Sequence, residues 1–170
     1  MQSLARNLLC AVSLFAAAGL AQAAKVSESV LLDATPDAVW KLAGDFDGLN
    51  RWHPAVTGVE ISKGKNNVPG AVRDLTLKDG AKIVETLLSH NAKGHSMKYR
   101  IDQSPLPVTG YVSTLSVKAE GKGSRVTWSS AFTVPEAAKK EGVTDAKAQE
   151  IIAGIYTAGF DALKAKLAGQ

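Results

Sequence analysis

The chain has 170 residues, 45% of them hydrophobic and 21% charged. That composition excludes a disordered or low-complexity chain and suits one domain of ordinary size. Twenty Lys and Arg against 16 Asp and Glu leave a net charge of +4, and without a block of five like charges no nucleic-acid surface is expected.

Residues 1–23 read as an address. Arg6 is the only charge before Lys25, Leu8–Leu20 is an almost unbroken apolar run, and Ala21-Gln22-Ala23 offers a small-x-small cleavage site. That order is the order of a secretory signal peptide. The run falls short of the roughly 18–20 residues of a membrane-spanning helix. The expectation is export to the periplasm, cleavage near Ala23, a single mature domain over 24–170, and no stable membrane insertion afterwards. Cys10, the sole cysteine, leaves with the signal, which removes disulfides, thiol catalysis and thiolate metal sites together.

In the mature chain, Val26–Leu32 alternates and predicts a first strand. Thr35-Pro36-Asp37 then supplies an N-cap, a first-turn proline and an acidic residue at the positive end of a helix. The helix runs from Pro36 to Ala43, with Val39 and Trp40 inward. A second short helical piece over Asp47–Trp52 stops at His53-Pro54, because the residue before proline is pushed out of the helical region. Strands follow over Val56–Ser62, Ala71–Lys78, Ala81–His90, Ser96–Asp102, Thr109–Ala119 and Ser124–Val134. The second and third of these form a hairpin across Asp79-Gly80, a two-residue turn signal. Seven strands joined mostly by short turns predict an antiparallel sheet. Pro135–Val143 is either a short helix or a loop. From Asp145 to Leu167, Ile152, Ile155, Tyr156, Gly159, Leu163 and Leu167 recur at three and four, which makes an amphipathic helix capped by Thr144. The class is α+β, a curved sheet wrapped around a long terminal helix.

This order of elements resembles the helix-grip fold of the START and pollen-allergen (SRPBCC) superfamily. The segments Gly44-Asp45-Phe46-Asp47-Gly48-Leu49, Arg51-Trp52-His53-Pro54-Ala55-Val56 and Gly70-Ala71-Val72-Arg73-Asp74-Leu75-Thr76-Leu77 look like those of bacterial polyketide cyclase/dehydrase-type members. Asp79-Gly80-Ala81, Glu85, Tyr99-Arg100-Ile101 and Val126-Thr127-Trp128 fit the same pattern. Among exported members the chain is similar to periplasmic accessory proteins of methanol oxidation, which implies a redox enzyme as a partner.

Strand alternation assigns the faces. Arg73 shares one with Leu75 and Leu77, Glu85 with Ile83 and Leu87, and Tyr99 with Met97 and Ile101. Tyr111 and Ser113 go with Leu115, and Trp128 and Ser130 with Val126. A basic and an acidic residue among apolar neighbours require each other, so Arg73 and Glu85 are expected to pair across the hairpin, near the cavity mouth or partly wet. The pair either closes the barrel end or anchors a ligand carboxylate or carbonyl, a carboxylate being matched by the planar guanidinium fork. Trp52 either closes the cavity entrance or staples the short helices. His53 is either a general base or a hydrogen-bonded structural residue. Gly159, beside Tyr156, either lets the helix approach the sheet or leaves room for a guest. His90 and His95 flank the Asn91–Gly94 turn and are expected to be exposed. No metal-ligand spacing, nucleophile motif or phosphate loop occurs, so neither metal nor cofactor is expected. The leading expectation is a binding protein holding a small hydrophobic molecule or lipid against Arg73, Glu85, Tyr99, Tyr111, Trp128, Tyr156, Trp52 and His53. An accessory protein docking on a periplasmic redox enzyme comes second, and a polyketide cyclase or dehydratase third.

Overall fold

The computed structural model describes residues 23–169. The expected signal segment, apart from Ala23, and Cys10 lie outside the described residues. Strand β1 (Ala24–Leu32) leads into α1 (Pro36–Ala43) and a single 3₁₀ turn (Leu49–Arg51). Then come β2 (Val56–Lys63), β3 (Val72–Leu77), β4 (Lys82–Asn91), β5 (Ser96–Gln103), β6 (Thr109–Glu120) and β7 (Gly123–Thr133). A short α2 (Glu136–Lys140) precedes the long α3 (Asp145–Ala168). The seven strands form one antiparallel sheet in the order β1-β7-β6-β5-β4-β3-β2. This is the expected α+β helix-grip architecture.

Local chemistry sets the helix ends. Thr35 caps α1 by accepting from the Ala38 N–H, and Thr144 caps α3 by accepting from the Lys147 N–H. Each satisfies one of the donors a helix start leaves free. The segment 135–143 resolves as the short α2. In α3 the buried face is Ala148, Ile152, Tyr156, Gly159, Phe160 and Leu163. Ile155 and Leu167, expected inward, are only half-buried, while Phe160 turns into the core.

Two details of the sheet differ from expectation and position the site. The β3–β4 hairpin turns over three residues, Lys78-Asp79-Gly80, rather than two. Leu77 O accepts from Gly80 N–H, Leu77 N–H donates to Ala81 O, and Gly80 takes φ 86°. A two-residue turn would set Arg73 opposite Thr86 and send Glu85 to the other face. The extra residue restores Arg73 opposite Glu85 and Leu75 opposite Ile83, which keeps Leu75, Ile83 and Leu87 together on the concave side. In β6, one extra residue around Gly110, at φ 61°, shifts the register with β7 between Thr109 and Val112. Such bulges bend the strand and sharpen its twist. Further register shifts interrupt β2–β3 and β4–β5, so the sheet curls towards α3.

His90 and His95 are not exposed. Both lie against the Trp40 ring, at 5.6 and 5.8 Å between centroids. His90 Nε2 donates to Gly44 O at 2.8 Å, and His95 Nε2 reaches Asp37 Oδ1 at 2.9 Å. The two imidazoles clasp α1 to the β4–β5 end of the sheet. The indole draws them in, because tilted contact with it shelters apolar ring surface while each Nε2 keeps a partner.

Candidate functional site

Between the concave face of the sheet, the 3₁₀ turn and α3 lies a cavity of about 200 Å³. Leu75, Leu77, Ile83 and Ile101 form its sheet wall, and Ile152 and Ile155 its helix wall. Trp128, Tyr111 and Tyr156 make an aromatic floor. Trp128 and Tyr156 stack at 4.5 Å with 11° between their planes, holding a β7 residue and an α3 residue in one rigid slab. Half-buried Leu77, Ile101, Leu106 and Ile155, with exposed Ala55, frame the mouth.

Hydroxyl groups under the floor form a hydrogen-bond chain whose donors all point one way. Ser113 Oγ donates to Ser129 O at 2.9 Å. It therefore accepts from Tyr156, 3.3 Å away, which in turn accepts from the Tyr111 hydroxyl. The Trp128 Nε1–H is shared between Ser113 Oγ at 3.0 Å and the Tyr99 hydroxyl at 2.8 Å. Burial pushes all three phenols above their ordinary pKa, so they stay protonated donors at neutral pH. The chain uses the protons of Tyr111 and Tyr156 internally. Tyr99 only accepts within it, and among the described residues no hydrogen bond takes its own proton.

Arg73 and Glu85 pair as expected, and the pair is buried rather than partly wet. Arg73 Nε and Nη2 each lie 2.6 Å from the same oxygen, Glu85 Oε2. The remaining guanidinium arm donates to Phe46 O at 2.5 Å. The Arg73 carbon stands 4.2 Å above the Phe46 ring and 5.1 Å from the Tyr99 ring. Arg73 is 2% exposed and Glu85 5%. Arg73 does not line the cavity, and its fork is spent inside the protein. Of the two roles open to the pair, these contacts of Arg73 are those of the structural one. Glu85 does line the cavity, and no hydrogen bond among the described residues reaches its Oε1. Burial raises the Glu85 pKa from the ordinary carboxyl value, and the Arg73 cation opposes that shift.

Trp52 and His53 lie behind and beside the floor. Trp52 is buried, with no hydrogen-bond partner for its Nε1 among the described residues, and its ring packs 5.7 Å from Trp128. It does not line the cavity, so its place is that of a staple rather than an entrance gate. His53 touches the cavity wall, yet both its nitrogens are occupied. Nε2 lies 3.0 Å from Ile155 O, and Nδ1 accepts from the Ala55 N–H at 3.2 Å. This fixes one neutral tautomer, and burial lowers the pKa further. A general base needs a free lone pair, and His53 has none to offer.

The sign of the His53 shift makes a prediction. A depressed folded-state pKa contributes stability that is complete above the unfolded value of about 6.5 and is lost as pH falls below it. Glu85, shifted upward, acts in the opposite sense. The measurement is therefore a difference between proteins. His53→Gln keeps a donor to Ile155 O without titrating, and its Tm should fall less than that of the wild type between pH 7 and 5. Parallel curves would remove His53 from the acid response.

Gly159 explains how closely α3 approaches. A Cβ built there would stand 2.9 Å from His53 Cδ2 and 3.1 Å from ring atoms of both Trp128 and Trp52. Of its two expected roles, close approach is the one observed. Among the described residues no group of three His, Cys, Asp or Glu is placed to hold a metal ion, and no helix is long and apolar enough to cross a membrane. Sequence reasoning missed Ser113 as the hub of the floor, along with Phe160. Alternation had placed Ser113 inward, but its partners come from strands and a helix distant in the chain.

Comparison with known proteins fits this architecture. Residues 23–168 match the family described as polyketide cyclase / dehydrase and lipid transport. Among solved structures, the protein XoxI from Bacillus cereus is 34% identical at a TM-score of 0.75, over 84% of this chain and 94% of that one. A putative uncharacterized protein from Bacillus thuringiensis is 33% identical at a TM-score of 0.74, over 84% and 98%. Major latex-like protein 151 from Panax ginseng, at 17% identity and a TM-score of 0.69 over 85% and 97%, shares the fold. No curated protein matches. With nearly its whole described length matched, the chain belongs to the polyketide cyclase / dehydrase and lipid transport family of the SRPBCC superfamily.

Proposed function

We propose that this protein binds a small, largely apolar molecule in the cavity between its sheet and α3. The observation that carries the reading is the cavity itself: about 200 Å³, walled by aliphatic and aromatic side chains. An apolar cavity of ~150 Å³ holds benzene, so the space suits one ring with a substituent. A long lipid chain would need the helix to move. Turnover is the weaker reading, because the His53 nitrogens are committed and the tyrosines hold their protons. Export to the periplasm and docking on a redox enzyme belong to the proposal on the strength of residues 1–23 and the methanol-oxidation resemblance.

Toluene is a suitable probe. At ten times its Kd it should stabilise the folded protein by about 1.4 kcal/mol, raising Tm by ~3–6 °C. Leu106→Trp, a substitution at the half-buried rim, should block entry and abolish the shift. An unshifted Tm in the wild type at saturating toluene overturns the reading.

A further inference from the structure

Two polar groups line the cavity, each with one valence left unspent. The Tyr99 hydroxyl accepts from Trp128 and has a proton to give. Glu85 Oε2 takes two Arg73 N–H groups, while Oε1 has no partner among the described residues. Both residues line the cavity, on neighbouring strands, since Glu85 pairs with Ile101 and Leu87 with Tyr99. They do not hydrogen-bond each other. One group is a donor and the other an acceptor, set in a wall that is otherwise apolar.

Resting on the binding function above, we propose that the ligand is a neutral monocyclic molecule whose hydroxyl accepts from Tyr99 and donates to Glu85 Oε1. Such a ligand completes both groups at once, and a buried polar site of this kind discriminates against analogues that leave it unpaired. The Arg73–Glu85 pair carries no net charge, so the site asks for no counter-ion. A ligand carboxylate is rejected: it would bring a second anion against Oε1, and Arg73 has no arm left to receive it. An aliphatic ring of the same size fits the volume but forfeits stacking on the Trp128–Tyr156 slab.

The test is a calorimetric series on the full protein at pH 7 with phenol, anisole, toluene and benzoate. Phenol should bind at least about tenfold tighter than toluene, since a hydrogen bond to a charged group contributes ~1.5 kcal/mol or more. Anisole accepts but cannot donate, so it isolates the Glu85 contact and should fall behind phenol. Tyr99→Phe isolates the other contact. Trp128 Nε1 still keeps Ser113 Oγ in that variant, and the phenol preference over toluene should shrink by about threefold or more. Phenol and toluene binding equally, anisole matching phenol, or benzoate binding best would each overturn the hydroxyl assignment while leaving the apolar cavity standing. If toluene and phenol both fail to bind, the binding function falls and this proposal with it. Should Tyr99→Phe not fold, the wild-type series alone decides.

Discussion

Arg73→Met should cost the folded state about 3–5 kcal/mol in urea denaturation, the range for removing one partner of a buried ion pair. The loss comes less from the missing attraction than from what remains: a Glu85 carboxylate 5% exposed, with no cation beside it. Phe46 O would lose its donor as well. Arg73→Met combined with Glu85→Leu should recover most of the loss, because neither charge then needs solvating. Without Arg73, the Glu85 pKa should climb further. A carboxyl raised in the folded state contributes stability below its unfolded pKa, and that stability fades as pH rises through the folded value. The Arg73→Met deficit should therefore narrow between pH 7 and 5. A loss under about 1 kcal/mol, the figure for an exposed pair, would contradict the buried arrangement.

Gly159→Ala should destabilise by about 1–3 kcal/mol, the usual cost of forcing extra volume into a packed core, although alanine is the better helix former. Its methyl meets His53, Trp128 and Trp52 at 2.9–3.1 Å. Those rings come from two places in the chain, the Trp52-His53 step and β7, and are held by packing on one another, so none yields alone. Gly154 supplies the control. Nothing lies within 4 Å of a Cβ built there, and Gly154→Ala should stabilise by about 1 kcal/mol through helix propensity. Opposite signs in thermal melts of the two variants would separate packing from propensity. Equal signs would deny the close approach at Gly159.

The elements were legible from local signals. Thr35-Pro36, Thr144 and the alternating runs placed the helices and strands within a few residues, because capping and periodicity act over short distances. The Arg73–Glu85 pairing was legible from the faces alone. The turn signal contradicted it: a two-residue turn across Asp79-Gly80 is incompatible with those faces, and the apolar pattern decides the matter by enlisting Lys78. What stayed hidden depends on contacts between distant segments. Trp40 captures His90 and His95 across the sheet, Arg73 reaches back to Phe46 O, and Ser113 links β6, β7 and α3. No local rule distinguishes a histidine beside a turn from one that clasps a tryptophan.

The Trp128 ring supports the guest chamber while one of its edges abuts the backbone at Gly159. The altitude of α3 above the sheet and the capacity of the chamber are thus governed by a single residue. A methyl there would lift the helix like a shim and enlarge the space beneath it, so that a bulkier occupant would be admitted at the expense of thermal robustness.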